Sequence, residues 1–189
     1  MTILARYLRE QGLVPVLLCR AGTSEVLPDL CTVFEAQHEI TLEDEGPGIL
    51  WDCYGDSVEG VFFDHYDLSA DTHSLYRSVS PFVAGIDDMA NRPLDFDVLF
   101  DVNLGRGAEV YDGLVPEDAE VFVGSRYQII NPVFFDVQES YVSARRERAG
   151  ALERILIAMG GTDPFGFTNQ ALGTVAEALP DSKIDVVAG

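Results

Sequence analysis

Short apolar runs bounded by glycine, proline or acidic residues recur along the chain, and amphipathic segments separate them. Runs of this kind read as strands buried in a parallel sheet. They predict strands over 13–19, 38–42, 58–64, 82–86, 97–102, 120–123, 154–159 and 183–187. A first helix is expected over 2–11, with Ile3, Leu4, Tyr7 and Leu8 on one face and Gly12 just past its end. A second starts at Thr23 or Ser24, acting as its cap, and reaches about Val33. Further helices are expected over 50–55, over 71–79 with Leu75 and Val79 one turn apart, and over 135–150. Pro81 stops the 71–79 helix, because proline cannot continue one. The last spans 164–179 with Pro164 in its first turn. Segments 43–48 and 105–113 read as loops.

Strands alternating with helices predict an α/β fold built on parallel sheet. The order has one oddity. The first helix has no strand before it, although the first strand of a doubly wound sheet is usually central, and the last strand has no helix after it. The pattern reads as the middle of something longer. The segment rich in Arg and Glu at 144–153 is the expected boundary, between an incomplete domain over 1–148 and the start of another over 149–189.

Composition narrows the class. With 189 residues there is room for one α/β domain, or for one and part of a second. The chain is 47% hydrophobic with a mean hydropathy of +0.10, enough to bury a core. No apolar run approaches the roughly 20 residues of a membrane span, and the first residues lack the layout of a signal peptide. Cys19, Cys31 and Cys53 form no CxxC, which fits a reduced, cytoplasmic protein. The net charge of −20 leaves no basic face for nucleic acid. It also repels anions at long range, so a nucleotide ligand needs donors supplied locally.

Candidate chemistry lies at strand ends, where open α/β sheets bind ligands. Asp64-His65-Tyr66 follows the apolar run Val61-Phe62-Phe63. Asp87-Asp88 ends the 82–86 strand, and Asp101 with Asn103 ends the 97–102 strand. Neighbouring carboxylates raise one another's pKa and suit acid–base work. The plainer alternative is that Asp64 caps a helix, His65 packs on the sheet, Tyr66 joins the core and Asp87-Asp88 begins a turn. Gly160-Gly161-Thr162 sits between a strand and a helix, a place where backbone amides can meet a diphosphate. It matches neither a Walker loop nor GxGxxG, and a tight structural turn is its alternative. His38, His65 and His73 have no metal-ligand spacing with the cysteines, and no GxSxG is present.

These motifs, taken in order, resemble the UDP-sugar hydrolases of pseudaminic acid biosynthesis and the related spore-coat polysaccharide biosynthesis proteins, which are similar to two-domain GT-B glycosyltransferases. Asp64-His65-Tyr66 matches the family's D-H-Y, and Ile86-Asp87-Asp88 its hydrophobic-D-D. The stretch from Asp97 to Asn103 matches D-x-L-x-N-x-N, with Asp101 in place of the first Asn. Tyr111-Asp112-Gly113, Gly124-x-x-Tyr127 and the run from Met159 to Pro164 fall at the expected distances. The family opens with a strand and a G-x-G-H-x-x-R segment carrying the catalytic His, and the match to this chain begins after it. Asn131 stands where the family usually has Arg.

The resemblance implies a GT-B-like Rossmann sheet without its first strand, followed by the start of a nucleotide-binding domain. It implies hydrolysis of a UDP-linked 2,4-diacetamido-2,4,6-trideoxy-hexose in nonulosonic acid or surface-polysaccharide biosynthesis, without metal or other cofactor. Tyr66 and His65 would line the sugar site and Asp64 would fix their loop. Asp88 and Asn103 would lie in the same crevice, and Tyr127 would also bind substrate. The amides of Gly160, Gly161 and Thr162 would face the diphosphate. Two other readings stand beside this one. One is a GT-B glycosyltransferase with a UDP-sugar donor. The other is a non-catalytic remnant or a binding module completed by a second chain or by missing segments.

Overall fold

In a computed structural model the described residues are 1–27, 30, 32–41, 46–147, 152–160 and 163–187, with only the backbone of Ser24. They group into two compact units, Met1–Asn131 and Pro132–Gly189. The fold is α/β and Rossmann-like, and every strand pairing among the described residues is parallel.

The first unit begins with helix α1 (Thr2–Glu10), strand β1 (Val16–Arg20), the short helix α2 (Thr23–Val26) and strand β2 (Ala36–Ile40). Gly12, at φ 84°, closes α1: its amide donates to Arg9 O and the amide of Leu13 to Leu8 O. The expected apolar face of α1 is corrected, since Ala5 is buried while Tyr7 is exposed. Helix α2 is also shorter than expected. Leu27 precedes Pro28, which disfavours helical backbone there. Gly22, at φ 84°, occupies the cap position, and the Thr23 hydroxyl donates back to Arg20 O at 2.6 Å instead of capping. Strand β1 starts three residues later than expected, with Leu13 and Val14 exposed ahead of it. Of the loop expected over 43–48, Glu43, Asp44 and Glu45 lie outside the described residues.

After α3 (Gly48–Tyr54) come β3 (Val61–Asp64), α4 (Ala70–Tyr76), β4 (Val83–Ile86), β5 (Val98–Asp101) and β6 (Glu120–Val123). These four strands form one sheet in sequential order, while β1 and β2 form a separate pair. Register explains the core. Phe63, Val83 and Leu99 lie on one face of the sheet and are buried with Leu50, Tyr76, Val79, Leu94, Phe96 and Tyr111. The other face carries Phe62, Phe100 and Phe122, whose rings follow one another at 6.4 and 5.3 Å between centroids.

Helix α4 departs from its expected face. Leu75 is 55% exposed, and the buried side is made by His73, Tyr76 and Val79. The chain beyond Tyr76 tightens into i→i+3 turns, which rotate Val79 inward without Leu75. At the foot of the sheet Arg77 grips Asp95 with Nε at 2.9 Å and Nη2 at 2.7 Å, and Asp97 with Nη1 at 2.9 Å. Asp97 in turn accepts the amide of Val83 at 2.7 Å, so the starts of β4 and β5 are tied together.

Gly85 is required by packing. A Cβ there would stand 2.6 Å from the Phe96 ring and 3.0 Å from Phe63 O. The ring is itself hemmed in by Phe63 and His73. Gly85→Ala is expected to cost about 1–3 kcal/mol in urea unfolding. An unchanged midpoint would show that the Phe96 ring can move aside.

The second unit holds α5 (Val133–Glu147), β7 (Arg154–Ala158), α6 (Phe167–Ala178) and β8 (Lys183–Val187). Strands β7 and β8 pair in parallel around α6, a β-α-β crossover. Arg154 grips Asp185 across the pair. Helix α6 starts at Phe167, later than expected from Pro164. Gly166 has φ 68°, and the Asp163 carboxylate accepts the amides of Phe167 at 2.8 Å and Thr168 at 2.9 Å, which sets the helix start there.

Candidate functional site

The polar residues of the first unit gather at the carboxyl ends of β3, β4 and β5. Parallel strands in near-equal register end together, and here Asp64 lies beside Ile86, and Ile86 beside Phe100. The residues that follow each strand therefore meet in one place.

Asp87 is the centre of this cluster and is buried. One carboxylate oxygen accepts the amides of Met89 at 3.1 Å and Ala90 at 2.8 Å, and the other accepts Arg92 Nη1 at 2.6 Å. The buried hydroxyl of Tyr111 stands 3.0 Å from Asp87 Oδ2, 2.8 Å from Asp87 O and 3.1 Å from Asp101 Oδ2. Its one proton serves these acceptors in turn. Asp101, also buried, accepts its neighbour's amide at Asn103 (2.8 Å) and Arg106 Nη1 (3.1 Å). Two carboxylates are thus balanced by two guanidiniums around one phenol. Burial pushes the Asp87 carboxyl up, but the Ala90 amide, Arg92 and Tyr111 outweigh it and hold it below the usual carboxylate value. Burial, then the charge of Asp87, keeps the Tyr111 hydroxyl well above the ordinary phenol range.

This corrects the expectation that Asp87 takes part in acid–base work. Its oxygens are used internally and its pKa is lowered, so Asp87 begins a turn and braces the site.

Tyr66 and Asp88 lie above this base. Tyr66 is 61% exposed, and its hydroxyl donates to Asp88 Oδ2 across 3.5 Å. The charge of Asp88, with lesser help from burial and Asp64, raises the Tyr66 pKa above its usual value. Asp88 Oδ1 is shielded from solvent and has no hydrogen-bond partner among the described residues. The Asp88 carbonyl accepts Asn103 Nδ2 at 3.1 Å and Arg106 Nη1 at 2.7 Å. His65 is half-buried, and its Nδ1 accepts the Asp67 amide at 3.1 Å. The Asp64 side chain is exposed and makes no hydrogen bond among the described residues. The loop that the resemblance assigns to Asp64 is fastened instead by Arg92, which donates to the carbonyls of Leu68 at 2.8 Å and His65 at 3.0 Å.

The structure therefore brings Asp64, His65, Tyr66, Asp88 and Asn103 together. Tyr127 packs its ring on Phe122 at 5.1 Å, beneath the Arg126 guanidinium at 4.9 Å, and no contact among the described residues joins it to the Tyr66–Asp88 pair. Gly160 belongs to the second unit, has φ 85° and faces open space. Gly161 and Thr162 lie outside the described residues. At the start of α6 the amides of Phe167 and Thr168 are already taken by Asp163, whose carboxyl is held low by its bonds to Thr168 and Phe167.

Sequence reasoning passed over Arg92 and Arg106. A signal was available: the chain has 12 Lys and Arg against 32 Asp and Glu, so a cation five residues beyond both Asp87 and Asp101 is notable. Both guanidiniums are spent on internal carboxylates and carbonyls. What the site offers a ligand is a phenol hydroxyl, carboxylate acceptors and an amide. Such a set suits neutral hydroxyl and N–H groups. No three His, Cys, Asp or Glu side chains among the described residues are arranged to hold a metal.

Fold and site together define a Rossmann-like α/β protein with a cluster of polar side chains at the carboxyl ends of parallel strands. No family model matches the chain. Over 134 residues it is 31% identical to the UDP-2,4-diacetamido-2,4,6-trideoxy-beta-L-altropyranose hydrolase of Campylobacter jejuni, a match covering 70% of this chain and 44% of that enzyme. The chain spans less than half the length of this relative.

Proposed function

We propose that this chain is part of a UDP-amino-sugar hydrolase of GT-B type, cytoplasmic, acting in nonulosonic acid or surface-polysaccharide biosynthesis. The observation that carries the reading is the Tyr66–Asp88 pair, an exposed phenol hydroxyl held against a half-exposed carboxylate at the strand ends. The similarity to the Campylobacter hydrolase supports it. The substrate class is a UDP-linked 2,4-diacetamido-2,4,6-trideoxy-hexose.

In this reading the bond between the anomeric carbon and the UDP oxygen breaks. Water supplies the new hydroxyl and gives its proton to a base, and UDP leaves with the bonding pair. Tyr66 and His65 line the sugar and orient the water. Asp88 accepts hydroxyl or amide N–H groups of the sugar, and Asn103 shares that edge. The carboxylates Asp64 and Asp88 favour the positive charge that builds on the ring. Residues 149–189 begin a nucleotide-binding domain in which the amides at Gly160, Gly161 and Thr162 meet the diphosphate, and Tyr127 is a further substrate-binding residue. The catalytic His of the resembling family belongs to a glycine-rich segment. Turnover therefore needs that segment, joined to this chain or brought by a second one.

The test is UDP release from the UDP-diacetamido sugar, followed by phosphorus NMR. It is run on this chain alone and on the chain joined to its in-frame flanking sequence. Tyr66→Phe in the active form is expected to lower turnover at least about tenfold. Its stability is expected to stay within about 0.5 kcal/mol of wild type, since the side chain is mostly exposed. An unchanged rate removes Tyr66 from the site. Release only on adding a sugar acceptor would make the protein a glycosyltransferase.

A second reading, a binding module completed by a partner chain, is favoured by the separation of β1–β2 from β3–β6 within one unit. It predicts sugar-nucleotide binding only in the presence of that partner. Binding by a monomer, seen in native mass spectrometry, would dismiss it.

A further inference from the structure

Arg92 sits five residues beyond Asp87, in the loop that follows β4. Its side chain is 17% exposed, and each nitrogen has its own acceptor. Nη1 donates to Asp87 Oδ1, Nε to the carbonyl of Leu68 and Nη2 to the carbonyl of His65. The two carbonyls flank Tyr66 in the chain. Between them the loop closes on itself, as the Asp67 amide donates to His65 Nδ1. That bond leaves the neutral imidazole proton on Nε2. The opposite wall is held in a similar way, with Arg106 and Asn103 fastening the carbonyl of Asp88. Both members of the Tyr66–Asp88 pair are therefore placed through backbone carbonyls of their loops.

We propose that Arg92 is a positioning residue whose planar guanidinium sets the 65–68 loop and thereby places the Tyr66 hydroxyl against Asp88. The role rests on the assignment of Tyr66 to the sugar site. Charge alone does not account for the arrangement. Asp87 needs only a cation, which a lysine would supply. Three acceptors in separate directions need a rigid fork of donors. Arg92→Lys thus keeps an ion pair with Asp87 and gives up the loop.

The test uses nitrogen-15 NMR of the full chain without ligand. In the wild type, His65 is expected as a single Nε2–H tautomer. In Arg92→Lys its ring should relax to an averaged mixture while circular dichroism stays native. The Tyr66 phenol titration should fall toward the ordinary tyrosine value as the loop leaves Asp88. A folded Arg92→Lys chain with His65 still in one tautomer and Tyr66 unchanged overturns the proposal. If Arg92→Lys fails to fold, the unmutated protein gives the answer. There the Arg92 Nε–H should exchange with solvent at least about tenfold more slowly than that of the exposed Arg126. Equal exchange overturns the proposal. Where turnover is measurable, Arg92→Lys should lower kcat more than it changes KM. A locked His65 in the chain joined to its in-frame flanking sequence, with no binding or cleavage of any UDP-amino sugar by that longer protein, overturns the function proposed above and leaves the loop-setting role of Arg92 standing.

Discussion

Asp87→Ala is expected to remove about 3–5 kcal/mol of stability, the usual cost of leaving a buried charge without its partner. The carboxylate accepts two amides and a guanidinium, and it shares the Tyr111 hydroxyl with Asp101 and its own carbonyl. Deleting it strands Arg92, frees the amides of Met89 and Ala90, and leaves Tyr111 with Asp101 and a carbonyl. Because Arg92 also holds the His65 and Leu68 carbonyls, the loss reaches the loop after β3. The measurement is the urea unfolding midpoint of Asp87→Ala against Asp88→Ala. Asp88 is half-exposed and its side chain has a single long hydrogen bond, so Asp88→Ala should stay within about 1 kcal/mol of wild type. Equal midpoints would mean that the buried cluster contributes little. The Asp87 carboxyl is depressed in the fold, so its contribution holds above the unfolded carboxylate value and is lost only as pH falls through the lower folded value.

Acidification acts first elsewhere, on His73. It is 0% exposed, with its ring 4.7 Å from that of Phe63 and 4.4 Å from that of Phe96. Nδ1 accepts the Asp95 amide at 3.4 Å, and Nε2 is buried with no partner among the described residues. Burial above all, with the nearby charge of Arg92, lowers its pKa to about 4, against the pull of Asp95 and Asp87. The sign follows from proton uptake. The unfolded chain binds a proton near pH 6.5 and the folded chain does not until about pH 4. Stability conferred by the neutral ring is therefore lost progressively between those values. One pKa unit is 1.36 kcal/mol, so about 2 kcal/mol should be lost between pH 6.5 and 5, and about 3 by pH 4. Net charge of −20 complicates the raw curve, because protonating surface carboxylates relieves repulsion in the same range. His73→Phe isolates the effect, since the repulsion is common to both chains. The difference in unfolding free energy between wild type and variant should change by about 2 kcal/mol from pH 7 to pH 5. A constant difference would show that His73 titrates in the fold as it does in the unfolded chain.

Much of the architecture was legible from local pattern. The strands over Glu120–Val123 and Lys183–Val187 begin and end where the apolar runs do. The others shift by a few residues at their ends. Short buried runs declare themselves because both faces of a parallel strand are screened from water. Helix faces were harder to read. Leu75 has the right residue type for the core, but the i→i+3 turns after Tyr76 changed the rotation of the segment, and Tyr76 and His73 took the buried positions. The start of α6 was set by a side chain, Asp163, reaching the amides of the first turn, a bond that periodicity does not record.

The candidate site divides the same way. The sequence by itself determined that acidic and phenolic residues close β3, β4 and β5, and parallel strands in register must bring those ends together. Tertiary structure alone decided what each group does there. Asp87 and Asp88 are adjacent and chemically identical, yet one is buried and saturated while the other has an unpartnered oxygen. The difference comes from Tyr111, which reaches Asp87 from a distant loop, and from Arg92, five residues on, whose guanidinium is held in place by carbonyls of the loop after β3. A residue's type is local information. Its pKa, its exposure and its free hydrogen-bonding capacity depend on partners far away in the chain, and these exist only once the chain is folded.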